Sequence, residues 1–172
     1  DGQSRNPEVV YGDTLEGDLV RRDFKVNAMA IELLADASFT FHDPLHGLQD
    51  VADRVLDTPD KPEISFHDDP LRMLRAARFA SQLEFRVADR VVDAMRDMAG
   101  EIQRITVERV QAELDKLMLG ARPWEGIDLL VQTGLADEVL PEIPALQLEQ
   151  DEHMQHKDVY RHSLTVLRQA TE

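Results

Sequence analysis

The stretch DDPLRMLRAARF, residues 68–79, decides how this chain is read. Asp69 stands before Pro70, which suits a helix start: an aspartate cap, then proline where its missing N–H is not needed. The helix is expected to run to about Leu83. Arg72, Arg75 and Arg78 recur every third residue, with no Lys or Glu between them. At about 100° per residue, if Arg72 is at zero, Arg75 falls near 300° and Arg78 near 240°. Leu71, Leu74 and Phe79 fall in the same half of the wheel. The arginines therefore have no polar face of their own. Three readings follow: stems lying on the surface with heads in water, a staple to buried carboxylates, or an anion or nucleotide site built from the fixed guanidinium fork.

Asp69 and Arg72 sharpen the third reading. Three residues apart, they can meet on the first turn and offer an acceptor beside a donor array. That order complements the Watson–Crick edge of cytosine, and adenine presents the same order. Guanine and uracil place a carbonyl where the amino group belongs. A fixed Asp–Arg pair would accept C and A and reject G and U, because the wrong base leaves buried polar groups unsatisfied.

Outward from this helix, the two halves of the chain differ. TLEGDLVRRD suggests a short helix with Thr14 as its cap. AMAIELL (28–34) and SFTFHD (38–43) fit a β-hairpin, and RVLDT a short strand. From residue 68 onward the pattern is helical: ADRVVDAMRDMAGEI, then TVERVQAELDKLMLG with Thr106 as cap and Gly120 as stop, then WEGIDLLVQTGL, then DVYRHSLTVLRQATE. The fold class is α+β, a β-containing part of roughly sixty residues followed by an all-helical part. Met95, Met98 and Met118 fall on amphipathic patterns and read as core. Trp124 reads as packing at a helix start rather than stacking on a base.

The net charge of −15 argues against a broad nucleic-acid surface, which needs a basic footprint. The arginines nevertheless lie in Lys-poor regions and leave room for a local basic site. No apolar run approaches the ~20 residues of a membrane span. Cys is absent, which excludes disulfides and thiolate metal sites and fits a reducing cytoplasm. The chain opens on Asp1 rather than Met, and LTVLRQATE reads as a helix cut in mid-run. We therefore expect a fragment of a longer protein. Oligomeric state is not legible.

The motifs together resemble those of the bacterial class II tRNA nucleotidyltransferase and poly(A) polymerase family, the CCA-adding enzymes. DDPLRMLRAARF resembles EDPLRxLRAxRF. EGDLVRRDFKVNAMA (16–30) resembles DLxRRDFTxNAMA, and DPLHGLQD (43–50) resembles DPxGGxxDL. TVERVQAELDKLM resembles the family's neck, and HKDVYRHSLTVL the start of an appended HD domain. The resemblance implies the end of a β-polymerase-like palm in residues 1–60. It implies a helical neck with the base-templating helix in 61–120, and a helical body leading into a truncated HD domain in 121–172. It implies CCA addition to the tRNA acceptor end from CTP and ATP. Asp69 and Arg72 would be the amino-acid template. Arg75 and Arg78 would line the same pocket, Arg22 would contact the nucleotide, and Asp23 would hold the sugar or the local fold. Asn27 looks structural, tying loop to strand.

The family's Gly-Gly loop and Asp-x-Asp pair, which hold Mg²⁺, would lie upstream of Asp1. The fragment alone is thus expected to be inactive. Asp68–Asp69 is not spaced to replace the pair, and Asp13 and Asp18 read as solvated charges. His162 would be the first metal ligand of the HD domain, with its partners beyond Glu172. His153 and His156 share a helical spacing but lack a third ligand. Three departures stand out: Lys25 for the usual Thr, His46 for the first glycine of DPxGG, and His67 ahead of the aspartates. If the position of His46 needs a positive φ, His is tolerated there at some cost. Two other readings stay open. One is a poly(A) polymerase or a CC- or A-adding enzyme of the same fold. The other is a non-catalytic helical interaction module that keeps its arginines as a structural network.

Overall fold

The computed structural model describes residues 14–147 and 159–171. The first helix, α1 (Leu15–Val20), begins at Thr14, whose Oγ1 accepts the N–H of Gly17 at 3.1 Å. A 3-10 turn (Lys25–Asn27) leads into a hairpin of β1 (Ala30–Leu33) and β2 (Phe39–His42), antiparallel, with Ala30 opposite His42 and Leu33 opposite Phe39. Helix α2 (Gly47–Asp53) and strand β3 (Val55–Leu56) follow. Next come α3 (Pro62–Asp68), α4 (Leu71–Leu83), β4 (Arg86–Val87) and α5 (Asp89–Asp97). After a 3-10 segment (Ala99–Arg104) lie α6 (Val107–Met118), α7 (Pro123–Gln132) and α8 (Leu135–Val139). The last described elements are a 3-10 turn (Pro144–Leu146) and α9 (Val159–Thr171). The class is α+β, mostly helical.

Helix α4 is the centre of the packing. Its alanines Ala76, Ala77 and Ala80 are buried, and their small side chains let α6 and α7 lie close on either side. Gly126 of α7 completes this approach: a Cβ there would fall 2.9 Å from the Ala77 carbonyl oxygen and 2.9 Å from the Leu117 side chain. Met73 and Leu74, 0% and 1% exposed, each contribute about 1.5–3 kcal/mol by burial. Around them gather Phe24, Leu56, Phe66, Val91, Met95, Leu117 and Leu130, a single core that joins the N-terminal elements to the helical half.

Several details depart from the sequence reading. Strand β4 lies beyond the first sixty residues and pairs parallel with β3, Val55 opposite Arg86. A two-residue strand carries too little alternation to be read from pattern. Helix α3 was not expected, although Pro62 at its first turn marks a helix start. The hairpin forms as expected, and its apolar residues Ile31, Leu33 and Phe39 are 64%, 81% and 67% exposed. Its main packing is strand on strand, so its apolar side chains find no third layer among the described residues. Met95 is buried and Met98 packs on the core, but Met118 is 44% exposed at the end of α6. Thr106 precedes α6 in extended conformation but its side chain makes no capping bond. Trp124 is half-buried in the first turn of α7.

Candidate nucleotide-binding site

The site is assembled where the segment after α1 meets α4. Phe24 is fully buried and meets Phe79 of α4 edge to face, ring centroids 5.6 Å apart. That anchor carries its neighbour Asp23, 8% exposed, onto the arginine stripe. One Asp23 oxygen lies 2.8 Å from Arg75 Nη2 and the other 3.3 Å from Arg72 Nε. A single carboxylate thus serves guanidiniums on successive turns. Arg72 is further fixed through its outer nitrogens. Nη1 donates to Ser65 Oγ at 2.8 Å, and Nη2 donates to the Arg21 carbonyl at 2.6 Å. With Nη1 also near the Ser65 carbonyl, one Nη2 hydrogen is left without a protein acceptor among the described residues.

Arg78 turns the other way. Its Nε lies 3.0 Å from Glu113 Oε2 of α6, the two side chains 11% and 9% exposed. Its guanidinium also covers the Phe79 ring at 4.2 Å. Burial pulls the Arg78 pKa below its ordinary value. Glu113 opposes that shift, the charge of Arg75 adds to it, and Asp23 opposes it. The Nε atoms of all three arginines are buried without a well-aligned acceptor, so the nearby carboxylates lie off their N–H axes. The pairing is more electrostatic than hydrogen-bonded.

Asp69 ends α3 in extended conformation, and Pro70 has helical dihedrals. Its Oδ1 accepts the Leu71 N–H at 3.2 Å, the expected capping bond, and Oδ2 pairs with Arg109 Nη2 of α6 at 3.2 Å. The Arg72 N–H donates to the Asp69 carbonyl at 3.1 Å, while the two side chains are held by other partners rather than by each other. Beside Arg72 opens a cleft of about 270 Å³ bordered by Arg21, Asp60, Ser65 and Asp68. A larger hollow of about 660 Å³ between α7 and α9 holds none of the predicted binding residues. We place the site at the smaller cleft because Arg72 lines it and Asp68, the neighbour of Asp69, borders it.

The remaining predicted residues lie apart. Arg22 folds back on α1 to Asp18 at 2.7 Å, both 54% exposed, a pair of little energetic weight. His162 is exposed on α9. No group of three histidines or carboxylates is arranged to hold a metal among the described residues. His153, His156 and Asp13 lie outside the described residues. Asn27 Oδ1 accepts the Phe24 N–H at 3.3 Å, a bond within its own 3-10 turn.

The departures from the motifs have physical outcomes. Lys25 reaches Asp57 Oδ2 at 2.6 Å, while Arg90 of α5 holds the other oxygen at 2.7 Å. Burial pushes the Asp57 carboxyl up, but the hydrogen bonds from Arg90 and Lys25 outweigh it and hold it below the usual range. His46 does adopt the left-handed conformation, φ 57°, at the start of α2. His67 lends its carbonyl to Arg104 at 3.0 Å.

Sequence reasoning missed Ser65, Glu113 and Arg109. Glu113 was detectable, since it shares the apolar face of α6 with Val110 and Leu117, where an acid needs a partner. Ser65 lies only seven residues before Arg72 but in a helix the sequence reading did not expect, and Arg109 is 40 positions from Asp69; neither carries such a signal.

Known proteins resemble this chain along nearly all its length. Residues 1–57 match the family described as "Poly A polymerase head domain", and residues 84–146 match "Probable RNA and SrmB- binding site of polymerase A". A CCA-adding enzyme of Pseudomonas entomophila (strain L48) is 38% identical over 91% of this chain and 40% of its own length. A CC-adding tRNA nucleotidyltransferase of Halalkalibacterium halodurans is 39% identical over 87% of this chain and 38% of its own. The solved Bacillus stearothermophilus CCA-adding enzyme in complex with CTP superposes with a TM-score of 0.68 at 37% identity, over 73% of this chain and 31% of that one. The chain thus spans about two fifths of the curated relatives it matches. Its three motifs, its fold and these matches agree: the chain belongs to the CCA-adding tRNA nucleotidyltransferase and poly(A) polymerase family.

Proposed function

We propose that this chain is part of a template-independent nucleotidyltransferase that builds or repairs the 3′-terminal CCA of tRNA from CTP and ATP. In it, Asp69 and Arg72 read the incoming base. The observation that carries the reading is the family's base-reading motif on α4, with Arg72 held at 16% side-chain exposure beside an open cleft. Three protein contacts immobilise Arg72 before any base arrives, so little rotamer entropy remains to be lost on binding. Asp69 accepts the exocyclic amino group of cytosine or adenine, and the free Arg72 N–H donates to the neighbouring ring nitrogen. Guanine and uracil bring a carbonyl against the carboxylate. Asp23 and Arg75 set the pose of Arg72, and Arg78 ties α4 to α6. Arg22 is exposed and available to the triphosphate.

We further propose residues 1–60 as the end of the nucleotidyltransferase palm, 61–120 as neck, and 121–172 as body leading into an HD domain in which His162 would ligate metal. The tRNA acceptor end would cross between palm and neck. The family implies Mg²⁺, and no group of three histidines or carboxylates among the described residues is arranged to hold it; a cytoplasmic location rests on the tRNA substrate. Among the described residues no helix is long and apolar enough to cross a membrane.

A second reading has an observation of its own. Arg72, Arg75 and Arg78 already have carboxylate partners, as a purely structural staple requires. One assay on the whole protein separates these readings: a tRNA transcript lacking CCA, supplied with CTP, ATP, GTP or UTP singly and together. Growth by two with CTP alone and by three with CTP plus ATP supports CCA addition. Two residues without the final A mean a CC-adding enzyme, and an A ladder a poly(A) polymerase. No growth with any nucleotide leaves the arginines structural.

A further inference from the structure

The local sequence of α6 suggests that Arg109 pairs with Glu113 one turn away. The fold diverts both. Glu113 faces inward to Arg78 and Lys116, and Arg109 reaches across 40 positions of chain to Asp69 Oδ2 at 3.2 Å. Arg104, one turn upstream of α6, donates to the His67 carbonyl at 3.0 Å. Two arginines of the helical half therefore grip the turn between α3 and α4, and one of them ends on the carboxylate proposed to read the base.

We infer that Arg109 is a positioning residue for base selection: it fixes the direction in which the Asp69 carboxylate meets the base's amino group. This rests on the role proposed for Asp69. Asp69 is tethered on its inner side only by the Leu71 N–H at 3.2 Å. Without a second donor the carboxylate turns about its side-chain bonds, and the acceptor loses its fixed direction. Arg109 supplies that donor from an exposed position, its side chain 53% exposed against 29% for Asp69. A pair so placed is weak and readily exchanged. A carboxylate oxygen also has room for a second donor, so arrival of an amino group need not break the first bond. A carbonyl has nothing to donate and meets a carboxylate held in place by Arg109. The arrangement joins base choice to the placement of α6, within the segment that matches the RNA-binding family.

The test is a double-substitution cycle in the whole protein, reading kcat/KM for CTP, ATP, GTP and UTP on a tRNA transcript lacking CCA. Arg109→Ala is expected to lower the CTP-over-GTP ratio about tenfold, the size of coupling found between contacting charged residues. Arg109→Lys should restore part of it. In an Asp69→Ala background, Arg109→Ala should change nothing further. Arg96→Ala, which removes only an exposed pair with Asp93, should match wild type throughout. A uniform loss for all four nucleotides with a raised KM for tRNA, repeated in the Asp69→Ala background, would place Arg109 on RNA phosphates and overturn the inference. So would an unchanged ratio in Arg109→Ala. A wild-type protein with no preference for CTP and ATP overturns instead the role of Asp69 on which this builds.

Discussion

The Arg78–Glu113 pair gives a prediction that depends on geometry alone. The side chains are 11% and 9% exposed with Nε and Oε2 3.0 Å apart. At an effective dielectric of about 20 the Coulomb attraction is roughly 5 kcal/mol, offset by the desolvation of both ions. Neither Nε nor Oε2 has a well-aligned hydrogen bond, which moves the expected net effect toward the low end for broken buried pairs. Glu113→Gln keeps the volume and removes the charge. It strands the Arg78 guanidinium, and we expect it to cost about 2–4 kcal/mol. Replacing both partners, Arg78→Met with Glu113→Met, removes the stranded ion and should return stability to within about 1 kcal/mol of wild type. That small residual includes the lost contact of Arg78 with the Phe79 ring. Urea unfolding followed by the single Trp124 measures both, because α7 packs on α4 and leaves when the core opens. The single-substitution loss should also persist in half-molar salt, since buried charges are little screened. A cost below about 1 kcal/mol for Glu113→Gln, or a double variant no more stable than the single one, would refute the buried-pair argument.

Other expectations follow from the motif regions. Gly47→Ala should destabilise by roughly 1–3 kcal/mol in thermal melts, because a Cβ there would meet the backbone carbonyl of Lys25. His46→Gly should stabilise by up to about 1 kcal/mol, relieving the left-handed φ at 57° while adding some unfolded-state entropy. For Asp57, the folded carboxyl titrates below its unfolded value. Its contribution is thus present above about pH 4 and is lost as pH falls through the lower folded value. Wild type minus Asp57→Asn, measured by urea unfolding from pH 7 to 3, should be constant at neutral pH and shrink in acid. A difference that grows on acidification would reverse the sign.

The helical half, the hairpin and the arginine stripe were legible in the sequence because each is a local pattern. Apolar period, caps and turn residues act within a few positions, and α4 ends at Leu83 as its pattern predicts. The motifs also pointed to Asp23 beside the arginines. Other features depended on pairings between distant segments. Strand β4 exists only because β3 lies next to it. Arg109 leaves its helical neighbour Glu113 because Arg78 claims that carboxylate first. Whether an arginine ends in water, on Asp23 or on Glu113 depends on which carboxylate the packed core places within about 3 Å of it. Spacing alone put Asp69 and Arg72 on one turn. Tertiary packing turned them to different partners, because charges taken out of water settle on whatever counter-charge the fold brings within reach.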